Sequence, residues 1–143
     1  MSSPITTHSP EETQAAGKAL ARTLPSQALL CFSGDLGAGK TTFLKGLISE
    51  LTGHCPDSID SPTFTYLHPY EVSDCSLYHF DLYRIKDARD FIAKGFDDYL
   101  HGPGVCCIEW PERIASLLPP QRYHITLHYM SAKTRTITTR LTP

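Results

Sequence analysis

Residues 34–42 read GDLGAGKTT, and this stretch decides the fold. Gly34, Gly39, Lys40 and Thr41 meet the pattern G-x-x-x-x-G-K-[ST], in which glycines let successive backbone N–H groups converge on phosphate oxygens. In that pattern the lysine carries positive charge to the outer phosphates, and the hydroxyl after it is placed to ligate Mg²⁺. A glycine-rich turn that merely joins two elements can match by chance, so the flanks matter. Before it, 27–33 (QALLCFS) is a short apolar run suited to a strand buried on both faces. After it, 40–51 places Phe43, Leu44, Leu47, Ile48 and Leu51 on one side of a helix, with Gly53 just past its end. Strand, loop and helix in that order are the setting a phosphate cradle requires, since the helix N-terminus then faces the anion. The stretch predicts a P-loop NTPase-like α/β fold, a three-layer sandwich around a central, mostly parallel sheet. ATP with Mg²⁺ is the expected ligand. Gly34, Asp35, Gly37, Ala38, Gly39, Lys40, Thr41 and Thr42 are the candidate ATP-binding residues.

Working outward, Ser9, Pro10 and Glu12 form a capping box that opens a helix, with Ala15, Ala16, Ala19, Leu20 and Thr23 at helical spacing and Pro25 ending it. Residues 54–62 (HCPDSIDSP) are a loop. Two strand-like stretches, 63–70 and 76–83, are joined by a short polar connection that suits a hairpin. Residues 87–100 read as one or two short helices interrupted near Gly95. A second buried strand runs over 105–110 (VCCIEW), and Pro-led 111–118 reads as a helix stopped by Pro119 and Pro120. Alternating strands at 122–129 and 135–141 close the chain around a turn at 131–133. The 143 residues fit one domain, 1–143, with antiparallel hairpin strands beside the parallel ones.

An enzyme with such a loop needs acids at the ends of neighbouring strands, beyond which ligands sit in open α/β sheets. Two fit. Glu109 ends the apolar run 105–108, and Asp81 sits in HFDLYR (79–84), where His79 and Asp81 share one strand face. The plainer alternatives are a solvated strand end for Glu109 and an ion pair with Arg84 or Lys86 for Asp81. Glu109 and Thr41 are the expected metal ligands. Trp110 follows Glu109 and packs either beside the nucleotide or in the core. SPTF (61–64) lies where a γ-phosphate-sensing switch would stand, or is a Pro-led turn into a strand.

Composition narrows the classes. Hydrophobic residues make up 41% and charged residues 20%, with a net charge of −2, so no general basic excess marks a protein that grips nucleic acid alone. No apolar run reaches membrane-spanning length, and the first residues lack the pattern of a secretory signal. Five cysteines, odd in number and without a CxxC pair, read as free thiols of a reducing, cytoplasmic compartment.

In order and spacing, GDLGAGKTT, SPTF, HFDLYR and IEWPER (108–113) resemble the TsaE family, formerly YjeE, over nearly the whole chain. The resemblance implies a small P-loop ATPase required for placing N6-threonylcarbamoyl on adenosine 37 of ANN-decoding tRNAs. Such a protein acts with the TsaB–TsaD pair and meets tRNA only indirectly. Carried over, Lys40 and the loop amides bind phosphates, Thr41 and Glu109 hold Mg²⁺, and Asp81 orients or activates the attacking water. Thr63 belongs to the switch-like loop, Trp110 lies close to the nucleotide, and Pro10 and Arg135 frame the base or phosphates. One departure stands at 85–91 (IKDARDF), where the family has an acidic D-P-E-E-L-type stretch that shapes the partner surface. A small-molecule P-loop kinase and a nucleotide-regulated binding module are the competing classes. A kinase needs a mobile arginine-bearing lid, whereas Arg113, Arg122, Arg135 and Arg140 are dispersed along the tail.

Overall fold

The computed structural model describes residues 4–35, 37–72 and 75–142. Leu36 in the phosphate loop and residues 73–74 of the expected hairpin connection lie outside the described residues. The elements are β1 (Ile5–Thr7), α1 (Pro10–Ala21), β2 (Ala28–Ser33), α2 (Lys40–Thr52), β3 (Leu67–Val72), β4 (Cys75–Asp81), α3 (Ala88–Ala93), β5 (Val105–Glu109), β6 (Arg122–Tyr129) and β7 (Arg135–Thr142). They build a seven-stranded sheet in the order β1-β7-β6-β2-β5-β4-β3. The four central strands, β6, β2, β5 and β4, are parallel to one another, and the antiparallel pairs β6–β7, β7–β1 and β4–β3 lie toward the two edges. The expected sheet is therefore mostly parallel only at its centre.

Both faces of β2 and β5 are buried, as their unbroken apolar runs require. On one face, Leu30, Phe32, Cys107, Ile125 and Leu127 pack beneath α1 and α2, chiefly against Phe43, Leu44, Leu47 and Ile48. On the other, Leu29, Cys31, Cys106 and Ile108 meet Phe80, Phe91 and Ile114. Phe80 is ringed there by Phe91, Phe96 and Tyr99 at 5.5, 5.3 and 5.9 Å between ring centres. Two layers thus cover the sheet. Burial pushes the Cys31 thiol up to about 12 against a smaller opposing effect of Arg122, so it is packing material and no nucleophile.

Several local expectations need correction. Strand β1 has three residues, too few for an alternating pattern to show. Strand β3 starts at Leu67, because 63–65 form a turn and Tyr66 takes a left-handed backbone, φ +68°. The segment after Trp110 is 3₁₀ over Pro111–Leu117 and breaks at Ile114 (φ −129°, ψ 30°). In α1, Ala15 and Ala19 are exposed, and the buried stripe is Thr13, Gly17 and Ala21. The cap at Ser9 forms as expected, Ser9 Oγ accepting from Glu12 N at 3.1 Å, but Glu12 reaches back to His8 N at 2.9 Å instead of to the cap residue. Over 87–100, α3 and a 3₁₀ turn at Asp97–Leu100 flank Gly95, whose φ is +78°. The departing stretch 85–91 becomes the capped start of α3, with Asp87 accepting from Asp90 N at 2.9 Å and Lys94 bonded to Asp90 at 2.7 Å.

Candidate active site

Strand register assembles the site. Phe32, Glu109 and Asp81 lie side by side at the carboxyl ends of β2, β5 and β4, because Phe32 pairs with Glu109 and Glu109 with Asp81. Beyond that edge the chain leaves β2 through the glycine loop. Gly34 adopts φ +146°, and a β-carbon there would stand 2.5 Å from the Leu127 carbonyl oxygen, so only glycine fits. Gly39, at φ +99°, delivers the chain into α2, whose N-terminus no side chain caps. The first helical bond runs from Phe43 N to Gly39 O, so the amides before it have no intrahelical acceptor.

Above this N-terminus lies a cleft of about 420 Å³. It gathers Gly37, Gly39, Lys40, Thr41, Thr42, Thr63, Asp81, Glu109, Trp110 and Arg135 from the expected residues, and adds Ser61 and Tyr83. Four expected residues do not line it, among them Pro10, which stands exposed at the first turn of α1. Gly34 and Ala38 shape the loop backbone, and Asp35 is exposed, its carbonyl accepting from Ala38 N.

Lys40 is 6% exposed, and its Nζ has no hydrogen-bond partner. A buried ammonium without a hydrogen-bond acceptor is costly, and the Trp110 ring, 4.0 Å from Nζ, offsets only part of that cost. Trp110 itself holds a left-handed backbone, φ 61°, which a bulky residue adopts only when its surroundings impose it. Its ring also packs on Tyr83 at 5.1 Å. Trp110 therefore meets both readings, since it lines the cleft and also packs against the core on that face of the sheet.

The two acids are held differently. Asp81, 4% exposed, accepts from Thr63 Oγ1 at 2.9 Å and from Tyr83 N at 3.0 Å, in place of an ion pair with Arg84 or Lys86. Glu109, also 4% exposed, is no solvated strand end. Its Oε2 takes Ser61 Oγ at 2.9 Å and His79 Nε2 at 2.8 Å, and Ser61 Oγ also meets Thr41 Oγ1 at 3.1 Å. Burial pushes the Glu109 carboxyl up, but hydrogen bonds from His79 and Ser61 and the charges of His79 and Lys40 outweigh it and hold it below the ordinary value. Glu109 is thus ionised at neutral pH. Arg135 donates to the Gly37 carbonyl at 3.0 Å and lies 4.5 Å from the Tyr129 ring centre, which fixes the hairpin turn against the loop.

Among the described residues no three His, Cys, Asp or Glu side chains gather as a metal cage. Mg²⁺ in phosphate sites takes only one or two protein oxygens, the rest coming from phosphates and water. Thr41 and Glu109, both bonded to one Ser61 hydroxyl, suit that sparse donor set. Uncapped amides and an unpartnered ammonium supply the matching anion cradle.

Residue types alone gave His79 no task and placed Ser61 only in the switch-like SPTF stretch, without its bond to Glu109. The signal for His79 was its shared face with Asp81, since the β4–β5 register sets His79 beside Cys107, one step below the Asp81–Glu109 pair.

Sheet order, glycine loop and strand-end acids define a P-loop NTPase-like protein. A family model described as "Threonylcarbamoyl adenosine biosynthesis protein TsaE" matches residues 7–137. The "tRNA threonylcarbamoyladenosine biosynthesis protein TsaE" of Bacillus subtilis (strain 168) is 40% identical over 132 residues, 92% of this chain and 81% of the relative. That of Treponema pallidum (strain Nichols) is 39% identical over 130 residues, 91% and 94% of the two chains. A solved structure described as "Crystal structure of Bacillus subtilus YdiB" superposes with a TM-score of 0.79 at 35% identity, covering 99% of this chain and 86% of that one. The chain belongs to the TsaE family of threonylcarbamoyladenosine biosynthesis. Among the described residues no helix is long and apolar enough to cross a membrane.

Proposed function

We propose that this protein binds Mg·ATP in the cleft above α2 and hydrolyses it, as the ATPase subunit that acts with a TsaB–TsaD pair in forming N6-threonylcarbamoyl adenosine 37 on ANN-decoding tRNAs. In this reading it works in the cytoplasm and reaches tRNA only through its protein partners. The observation that carries it is the buried, unpartnered Lys40 Nζ beside the open N-terminus of α2. Such a group needs an anion, and the cleft offers a polyphosphate room and oriented amides.

Each residue then has a task. Lys40 and the amides of 39–42 hold the phosphate chain, and Arg135 keeps the Gly37 end of the loop in place. Thr41 and Glu109 would hold Mg²⁺, which when bound would supply neutralisation of phosphate charge. Asp81 accepts a hydrogen bond from the attacking water and aligns it, itself fixed by Thr63 and Tyr83 N. The kinase alternative loses support from the tail arginines, since Arg113 donates to the Tyr83 carbonyl and Arg122 to the Pro119 carbonyl. Both are tied to backbone, not poised on a lid.

The test is ATP hydrolysis with and without the TsaB–TsaD pair. Strong stimulation by the pair is expected. Phosphate transferred to a small-molecule acceptor instead of water would establish the kinase reading.

A further inference from the structure

His79 is fully buried in the sheet, two residues before Asp81, and the chemistry assigned so far leaves it without a task. Its Nε2 lies 2.8 Å from Glu109 Oε2, and its Nδ1 is buried with no hydrogen-bond partner. Burying an imidazole with one nitrogen unsatisfied costs stability that an apolar side chain in the same core would not lose. The residue is therefore poorly explained by packing.

Proton directions along the contacts give it a role. An ionised Glu109 accepts only, so Ser61 spends its one hydroxyl proton on Oε2, and Thr41 must then donate to Ser61. His79 meets the same oxygen and must carry its proton on Nε2. Both donors end on Oε2, so the carboxylate of Glu109, a residue that lines the cleft, is gripped by one oxygen. Ser61 stands on a loop and also contacts Thr41, whereas His79 is set in a central strand and paired on both sides. Of the two, only His79 is a rigid anchor.

We propose that His79 is a positioning residue that orients Glu109 for Mg²⁺ in the nucleotide complex. The inference rests on the Mg·ATP reading of the cleft. Partners that orient a metal-binding carboxylate typically change metal affinity by about 10–100-fold when removed.

The single tryptophan, Trp110, lines the cleft, so its fluorescence can follow ATP binding at graded free Mg²⁺ and in excess EDTA. In His79→Leu the Mg²⁺ midpoint is expected to rise about tenfold while metal-free ATP affinity stays near wild type. His79→Asn, too short to reach Oε2, should behave alike and carries the test if the leucine variant does not fold. His79→Gln, which keeps a donor near Nε2, should move back toward wild type. Adding His79→Leu to Glu109→Gln should shift the midpoint no further. An unchanged midpoint, or equal losses with and without Mg²⁺, would overturn the positioning role while leaving the cleft's function standing. Absence of any Mg²⁺-dependent ATP binding in wild type would overturn both.

Discussion

Two charged side chains at the centre of the cleft carry opposite burdens. Lys40 is buried without a hydrogen-bonding partner, whereas Glu109 is buried with two donors on one oxygen. The first group is incomplete without an anion and the second is already ionised. Because the Glu109 carboxyl lies below its ordinary value of 4.5, its contribution to stability is fully present above about pH 4.5 and is lost as pH falls through its lowered value. The stability advantage of wild type over Glu109→Gln, followed by melting temperature, should therefore shrink on acidification from pH 5. An advantage that grows instead would reverse the sign. Asp81 differs again, because Thr63 and the Tyr83 amide fix it without any cation. Asp81→Ala is expected to lower the hydrolysis rate about 10²-fold, the scale on which a misplaced reactant costs rate, with ATP affinity by calorimetry near wild type.

Helices α1 and α2 show how an element can be legible in outline and hidden in detail. Capping residues and apolar spacing marked both helices, yet the buried face of α1 ran through Gly17 and not through Ala15 and Ala19. The reason is the closeness of the crossing. A β-carbon on Gly17 would lie 2.1 Å from the Phe43 carbonyl oxygen, and one on Gly46 only 1.9 Å from that of Gln14. Hydrophobicity counts cannot register a contact made by absent side chains. Gly46→Ala should force the helices apart and cost about 1–3 kcal/mol or more in urea unfolding, as overpacking does. A neutral result would mean that the crossing is looser than described. Since α2 also presents Lys40 and Thr41, the same change should weaken nucleotide binding without touching the cleft.

At the scale of the whole molecule, the sheet turns distant segments into one site. The loop motif, the two acids and the switch-like turn were readable separately, because each needs particular residue types. What joined them was register, and register depends on which strands pair, a property of the folded sheet and not of any one segment. The His79–Glu109 contact, thirty positions apart in sequence, arises in this way. So does the edge strand β1, which exists only because β7 offers it a partner. If the assembled cleft binds Mg·ATP, saturation to one hundred times Kd adds about 2.7 kcal/mol of stability, on the order of a 10 °C rise in melting temperature for a chain of this size. No shift with Mg·ATP would mean that the cleft is not a nucleotide site.

The most direct test of that assembly removes the charge at its centre. Isothermal titration of Mg·ATP into wild type and Lys40→Ala should show binding to the first and a loss of at least about tenfold in the second, from the roughly 1.5–3 kcal/mol of a charged hydrogen bond. Equal affinities in a folded Lys40→Ala variant would contradict the account.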